Sequence, residues 1–300
     1  MHLRFAAFGA MALTWGLTWI AAKWATEAAP PVLVAGLRLL LACPLFALWC
    51  RVAGLSFWTP DPVRLLLSGL LINTGCYSFL FWGVARTPTG LAAIVNLSLI
   101  PVFSMLIGAA YREERTTRRR LGAVALGAFG LLLLFRERLA GTTGTTGGDE
   151  TAVGLAAVVA GTVFYAWGAI VSKPLLRAMP PVALAAWQTG IGGAGLLLAS
   201  ALLERPGPAD ALALASGRPL AGFLFLVGAG SLVGFSIYLW LLREWGAFRA
   251  GLYAFVSPAV AVAVGSVALG EPFGVAEATG MAVMLTATAL VLRPEPVSAS

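Results

Sequence analysis

One block of sequence occurs twice in this chain. Residues 22–38 align with residues 172–188 at an offset of 150: Ala22-Lys23 falls on Ser172-Lys173, Pro30-Pro31-Val32 on Pro180-Pro181-Val182, and Ala35 on Ala185. Further along the offset becomes 157, with Arg86 on Arg243, Ala93 on Ala250, Pro101 on Pro258 and Glu114 on Glu271. A seven-residue insertion near Glu204–Asp210 accounts for the change. Each copy is nearly continuous apolar sequence of helical length. If a copy holds an odd number of membrane spans, the second copy lies upside down relative to the first.

Charged residues make up 11% of the chain and apolar residues 59%, against about 25% charge in a soluble domain. That is too little polar surface for a water-soluble globule. In lipid every backbone group must bond within its own segment or within a closed barrel. The apolar runs are about 20 residues long, which is helical spanning length, and no strand-like alternation is seen. The net charge of +7 reads as the basic bias of cytoplasmic loops rather than as a nucleic-acid surface. Cys43, Cys50 and Cys76 lie in apolar runs without metal-ligand spacing, and His2 is the only histidine. No metal or cofactor is therefore expected.

The expected fold is all-α, with ten transmembrane helices as two inverted five-helix repeats around a central cavity. The spans fall near 5–26, 31–50, 63–84, 88–110, 118–136, 152–174, 181–203, 219–242, 246–269 and 272–292. The first repeat occupies 1–140, a Gly/Thr linker 141–151, the second repeat 152–293 and a cytoplasmic tail 294–300. Pro31, Pro88, Pro181 and Pro272 stand where helices start. The first span, Phe5–Thr26, is about 33 Å at helical rise and holds three tryptophans, so it reads as a span rather than a cleaved leader. With the N-terminus inside, the inner loops receive 13 of the 20 Lys and Arg residues and the outer loops six, Arg38 lying within span two. This favours both termini in the cytoplasm.

Several residues in order then carry a resemblance: Trp15-Gly16 with Lys23 in span one, Leu37-Arg38-Leu39 in span two, Pro101, Glu114 and Gly122, and in the second copy Trp167, Ser172-Lys173, Pro258, Glu271-Pro272 and Gly280. Over residues 5–292 the chain resembles the drug/metabolite transporter superfamily, and within it the EamA-type ten-helix carriers. By length and aromatic content it looks most like amino-acid exporters of the YddG type. The resemblance implies an inverted five-plus-five fold, a central cavity, and small-molecule transport by alternating access across a bacterial inner membrane. Gln188 departs from the pattern, standing where a second arginine is expected opposite Arg38.

Mid-span polar residues are costly in lipid and so face a cavity or another helix. Residues four apart share a helix face, which pairs Trp15 with Trp19, Asn73 with Tyr77, and Tyr253 with Ser257. The repeat places Asn96 on Tyr253 and Trp15 on Tyr165. Trp15, Trp19, Asn73, Tyr77, Asn96, Tyr165, Tyr253 and Ser257 are the candidate substrate-binding set, suited to an amphipathic solute with an apolar body. For Asn73 and Asn96 an interhelical bond is the competing role. Tyr165 is preferred over Trp167, two positions on and about 200° around the helix. Trp24, Trp49, Trp58 and Trp245 fit an interfacial belt.

Arg38 and Lys23 are candidate counter-charges for an anionic solute, Arg38 otherwise snorkelling to the outer face. Glu114 and Glu271 fit helix-terminus capping. There is no catalytic constellation, so no enzyme is expected. The function expected is export of amino acids or related small metabolites, by facilitated diffusion because no acid lies at mid-span. Export of lipophilic drugs and enzymatic action on lipid are the alternatives. The expected partners are the solute and membrane lipid, with no nucleic acid and a monomeric carrier.

Overall fold

The protein, described here by a computed structural model, is seen over residues 2–59, 61–84, 86–87, 89–113, 116–134, 136, 148–269 and 274–292. Most of the linker, together with Pro88, Glu114, Glu271 and Pro272, lies outside the described residues. Ten long helices run through the remainder. They are α1 (His2–Thr26), α2 (Pro31–Val52), α3 (Pro62–Val84), α4 (Thr89–Ala110), α5 (Arg118–Leu134), α6 (Gly148–Ala178), α7 (Pro181–Leu203), α8 (Gly217–Trp245), α9 (Ala247–Gly251 continuing as Tyr253–Leu269) and α10 (Val275–Leu292). Among the described residues nine of these are long and apolar enough to cross a membrane. The other is α5, 17 residues long.

Local chemistry sets the helix starts. Pro31 and Pro181 open α2 and α7, where a missing N–H costs nothing. Asp61 accepts from the Arg64 backbone N–H at 2.9 Å ahead of Pro62. The Glu204 carboxylate, at the end of α7, accepts the N–H groups of Val32 and Leu33, each at 2.9 Å. A carboxylate on two orphan donors is a strong cap, and it clamps α7 to the start of α2. Helix α6 begins at Gly148, four residues before the expected start at 152, with Asp149 and Glu150 in its first turn opposite the positive helix end. Gly246, at φ 84°, breaks α8 from α9 in a conformation that L side chains rarely adopt.

Two spans carry π-helical segments: Leu70–Gly75 in α3 and Leu226–Phe235 in α8. Adding the offset of 157 to 70 gives 227, so the two sit at equivalent depths. Prolines interrupt α4 at Pro101 and α9 at Pro258, again equivalent positions, each removing a backbone donor inside its helix.

Helix α2 packs along α7, and α5 along α10. Helix α6 packs on α3 and α4, while α1 packs on α8 and α9. Exchanging the halves, so that α1 becomes α6 and so on through α10, returns the same set of neighbours. Approaches are close: a Cβ on Gly193 would sit 2.8 Å from the backbone nitrogen of Leu40, and one on Gly280 would sit 2.6 Å from that of Leu134. Small residues that let backbones meet are the usual device of membrane helices. Leu48, Leu198, Leu202 and Leu224 are exposed on the outside of the bundle, as a lipid solvent allows.

Candidate functional site

A cavity of about 280 Å³ lies between the halves. Its wall is built from α1, α2, α3, α4, α6, α8 and α9. Trp15, Asn73, Tyr77, Asn96, Tyr165, Tyr253 and Ser257 all line it, as does Arg38. The Trp19 side chain is outside the described residues. At one end the lining reaches Thr26 and Pro31, where α1 meets α2, and Val84 at the end of α3. Toward the other end it stops at Ile100, Tyr165 and Ser257.

Aromatic rings from four helices form the floor. Trp15 lies 4.4 Å from Tyr253 and 5.4 Å from Tyr238, centroid to centroid. Tyr165 lies 5.8 Å from Tyr238, and the Tyr253 hydroxyl donates to the Tyr165 hydroxyl at 3.0 Å. The Trp15 indole N–H donates to the Gly230 carbonyl at 3.0 Å. Gly230 lies inside the π segment of α8, where the looser turn leaves carbonyls available to a side chain. Tyr238, 1% exposed, sits at the centre of this cluster. The sequence reading misses it. Its signal is the offset of 157, which lays Tyr238 on Phe81, a cavity residue that stacks on Tyr77 at 5.9 Å.

The two asparagines tie helices together as well as lining the wall. Asn73 donates to the Gln188 carbonyl at 2.9 Å, and Asn96 accepts from the Thr162 hydroxyl at 2.9 Å. Gln188 itself is buried, donating to Ser68 at 2.9 Å and to Ser172 at 2.8 Å. Arg38 points its Nη2 at the Tyr77 hydroxyl, 2.8 Å away, with its Cζ 5.2 Å from the Tyr77 ring centre. Lys23, in the last turn of α1, is exposed and is not among the lining residues. Trp167 is 38% exposed and donates to the Tyr111 hydroxyl instead of facing the cavity. Trp49 and Trp58 are exposed, as an interfacial belt requires. Trp245 is packed 5.4 Å from Phe5 and 5.8 Å from Phe8, locking α8 to α1.

Beyond the floor the helix ends are joined by charge. Glu113, after α4, pairs with Lys173 at 3.2 Å and Arg177 at 2.5 Å, both on α6. Lys173 also donates to the Glu113 carbonyl at 3.0 Å. Arg4 on α1 pairs with Glu244 on α8 at 2.6 Å. A second, polar hollow of about 250 Å³ is lined by Glu113, Lys173, Arg177, Arg243, Trp245 and Gly246. Its walls are the latch residues themselves, so it is a groove over the closure. Exchange of the halves exchanges the α4–α6 and α9–α1 contacts, while the charge pairs bridge α4 to α6 and α1 to α8. Among the described residues no group of three or more His, Cys, Asp or Glu side chains is arranged to hold a metal.

The comparisons with known proteins agree with this architecture. A crystal structure with 20% sequence identity superposes with a TM-score of 0.81, covering 97% of each chain. The chain is 30% identical over 267 residues to a probable amino-acid metabolite efflux pump of Salmonella typhimurium, covering 86% of this chain and 84% of that one. It is 26% identical over 292 residues to the uncharacterized inner membrane transporter YedA of Escherichia coli K12, covering 96% and 90%. The EamA-like transporter family matches twice, over residues 5–136 and 152–293. Those two stretches carry nearly the whole described bundle, and the chain belongs to the EamA-like transporter family.

Proposed function

We infer that this multi-pass membrane transporter exports amino acids or related small metabolites by alternating access across a bacterial inner membrane, with both termini in the cytoplasm. The observation that carries this reading is the one-ended cavity: aromatic-walled, reaching the loops at one end, closed at the other by a floor of rings and a latch of ion pairs. Its volume of about 280 Å³ is at the small end of ligand sites, which run from about 300 to 1,000 Å³. That favours an amino-acid-sized solute over a bulky drug. The printed name of the Salmonella relative points the same way, and the aromatic floor suits solutes of the kind expected of a YddG-type exporter.

In this reading residues 1–140 and 152–293 are inverted repeats joined by the linker 141–151, with 294–300 as a cytoplasmic tail. The exchange-symmetric packing, the paired π segments and the twofold family match support it. Trp15, Trp19, Asn73, Tyr77, Asn96, Tyr165, Tyr253 and Ser257 contact the solute, and one chain suffices, since a single chain walls the cavity. Coupling is by facilitated diffusion. Proton antiport needs a group that ionises within the membrane and alternates between sides, and among the described residues the lining contains no carboxylate, histidine or lysine.

The test is uptake of a panel of labelled amino acids into proteoliposomes, with and without an imposed pH gradient. Saturable equilibration that ignores the gradient is the expected result. No transport of any amino acid would overturn the substrate reading. Accumulation above equilibrium driven by the pH gradient would overturn the uniporter.

A further inference from the structure

Among the described residues Arg38 is the only charged side chain lining the central cavity. It lies on α2 in the run Leu37-Arg38-Leu39-Leu40-Leu41. A guanidinium carries five N–H donors and no acceptor. Here Nη2 uses one on the Tyr77 hydroxyl at 2.8 Å, while Nε is buried and meets no acceptor. Arg4, Arg64, Lys173, Arg177 and Arg243 each have a carboxylate partner within 4 Å. Arg38 has none among the described residues. A cation within a membrane protein is costly unless paired or hydrated. The wall therefore presents a fixed positive charge, with donors unused, to whatever enters.

We propose that Arg38 and Tyr77 form a carboxylate anchor, so that the solute class is small monocarboxylates with an apolar body, the amino group being dispensable. This rests on the reading of the cavity as the transport site. The planar guanidinium matches a carboxylate bidentately, and Tyr77 holds it at the wall. The body of the solute then lies toward Trp15, Tyr165 and Tyr253, the apolar floor. One fixed cation balances one negative charge, which favours a carboxylate over a phosphate dianion. Among the described residues the lining offers no carboxylate to an ammonium group. Recognition therefore falls on the acid end, and an amine without a carboxylate meets only the unfavourable charge of Arg38.

The experiment is binding to the purified full chain, followed by tryptophan fluorescence and calorimetry. The probes share one ring: phenylalanine, 3-phenylpropanoate, 2-phenylethylamine and phenyl phosphate. Phenylalanine and 3-phenylpropanoate are expected to bind alike, and 2-phenylethylamine about tenfold more weakly or worse, the size of one charge-assisted contact. Arg38→Gln should abolish that preference at an unchanged melting temperature, and Arg38→Lys should restore part of it. Equal binding of amine and acid, a preference surviving in Arg38→Gln, tighter binding of phenyl phosphate than of the carboxylates, or no binding of any probe would each overturn the anchor. If the acids bind as stated while proteoliposomes transport no amino acid, the amino-acid reading fails and the anchor stands. If amino acids are transported by Arg38→Gln with unchanged selectivity, the anchor fails alone.

Discussion

Helices α2 and α7 occupy equivalent places in the two halves and pack along each other, yet their central polar residues live differently. Arg38 on α2 faces the cavity with donors unused. Gln188, at the equivalent position on α7, is 0% exposed and holds Ser68 and Ser172 together. The Gln188 carbonyl oxygen Oε1 has no partner among the described residues. A duplicated scaffold thus keeps its backbone relations while its chemistry diverges. Both halves line the cavity, but at this pair of positions the α2 residue brings a positive charge to the wall while the α7 residue is a buried amide, which packs without a counter-ion.

Three substitutions test how deep that difference runs. The largest effect is expected from Gln188→Arg, which copies the α2 residue into the buried site. With no carboxylate beside it among the described residues, an uncompensated charge there should cost about 3–5 kcal/mol and remove most of the folded protein from fluorescence-detected size exclusion. Normal yield and melting would mean the two sites are interchangeable. Gly193→Leu comes next, since a Cβ there would sit 2.8 Å from the Leu40 nitrogen and 3.1 Å from its Cα. Backbone cannot give way as a side chain can, so the α2–α7 contact should lose about 3 kcal/mol, read as a lowered melting temperature. A variant as stable as the parent would show that the two helices are not held by that approach. The smallest effect is expected from Arg38→Gln, the reverse copy. Its stability should change by less than about 1 kcal/mol, because the guanidinium meets only the hydroxyl and ring of Tyr77 and has no ion pair among the described residues. A large loss would turn Arg38 from a solute-facing group into a structural one.

Much of this arrangement is legible before any coordinates. The internal duplication, the helix starts at Pro31 and Pro181, and the spacing of Trp15, Asn73, Tyr77 and Tyr253 lead to residues that share one cavity wall. What resists reading is whatever depends on helix rotation and depth. That Asn73 meets the carbonyl of Gln188, and Asn96 the hydroxyl of Thr162, follows from how α3 sits against α7 and α4 against α6. Residue spacing within one helix says nothing of either. Tyr238 escapes because its role comes from three rings on other helices. The early start of α6 escapes because a Gly/Thr run reads as a joint, while acidic residues just after it support a helix end. The π segments are not announced by their residues either: Leu70–Gly75 holds Asn73 and Thr74 and Leu226–Phe235 holds three glycines, features that regular membrane helices also carry.

Those π segments change the angular arithmetic of the wall. Cavity residues on α3 recur as Ile72-Asn73, Cys76-Tyr77, Leu80-Phe81 and Val84, a strict period of four. On a pure α-helix of 3.6 residues per turn, each such step overshoots by about 40°, and the stripe would wind away from the cavity within a few turns. A turn closed by a longer hydrogen-bonded ring advances less per residue and rotates the stripe back. The wider segment therefore acts as a vernier across the first of these steps, from Ile72-Asn73 to Cys76-Tyr77, and offsets part of the drift that the regular helix Cys76–Val84 goes on to add.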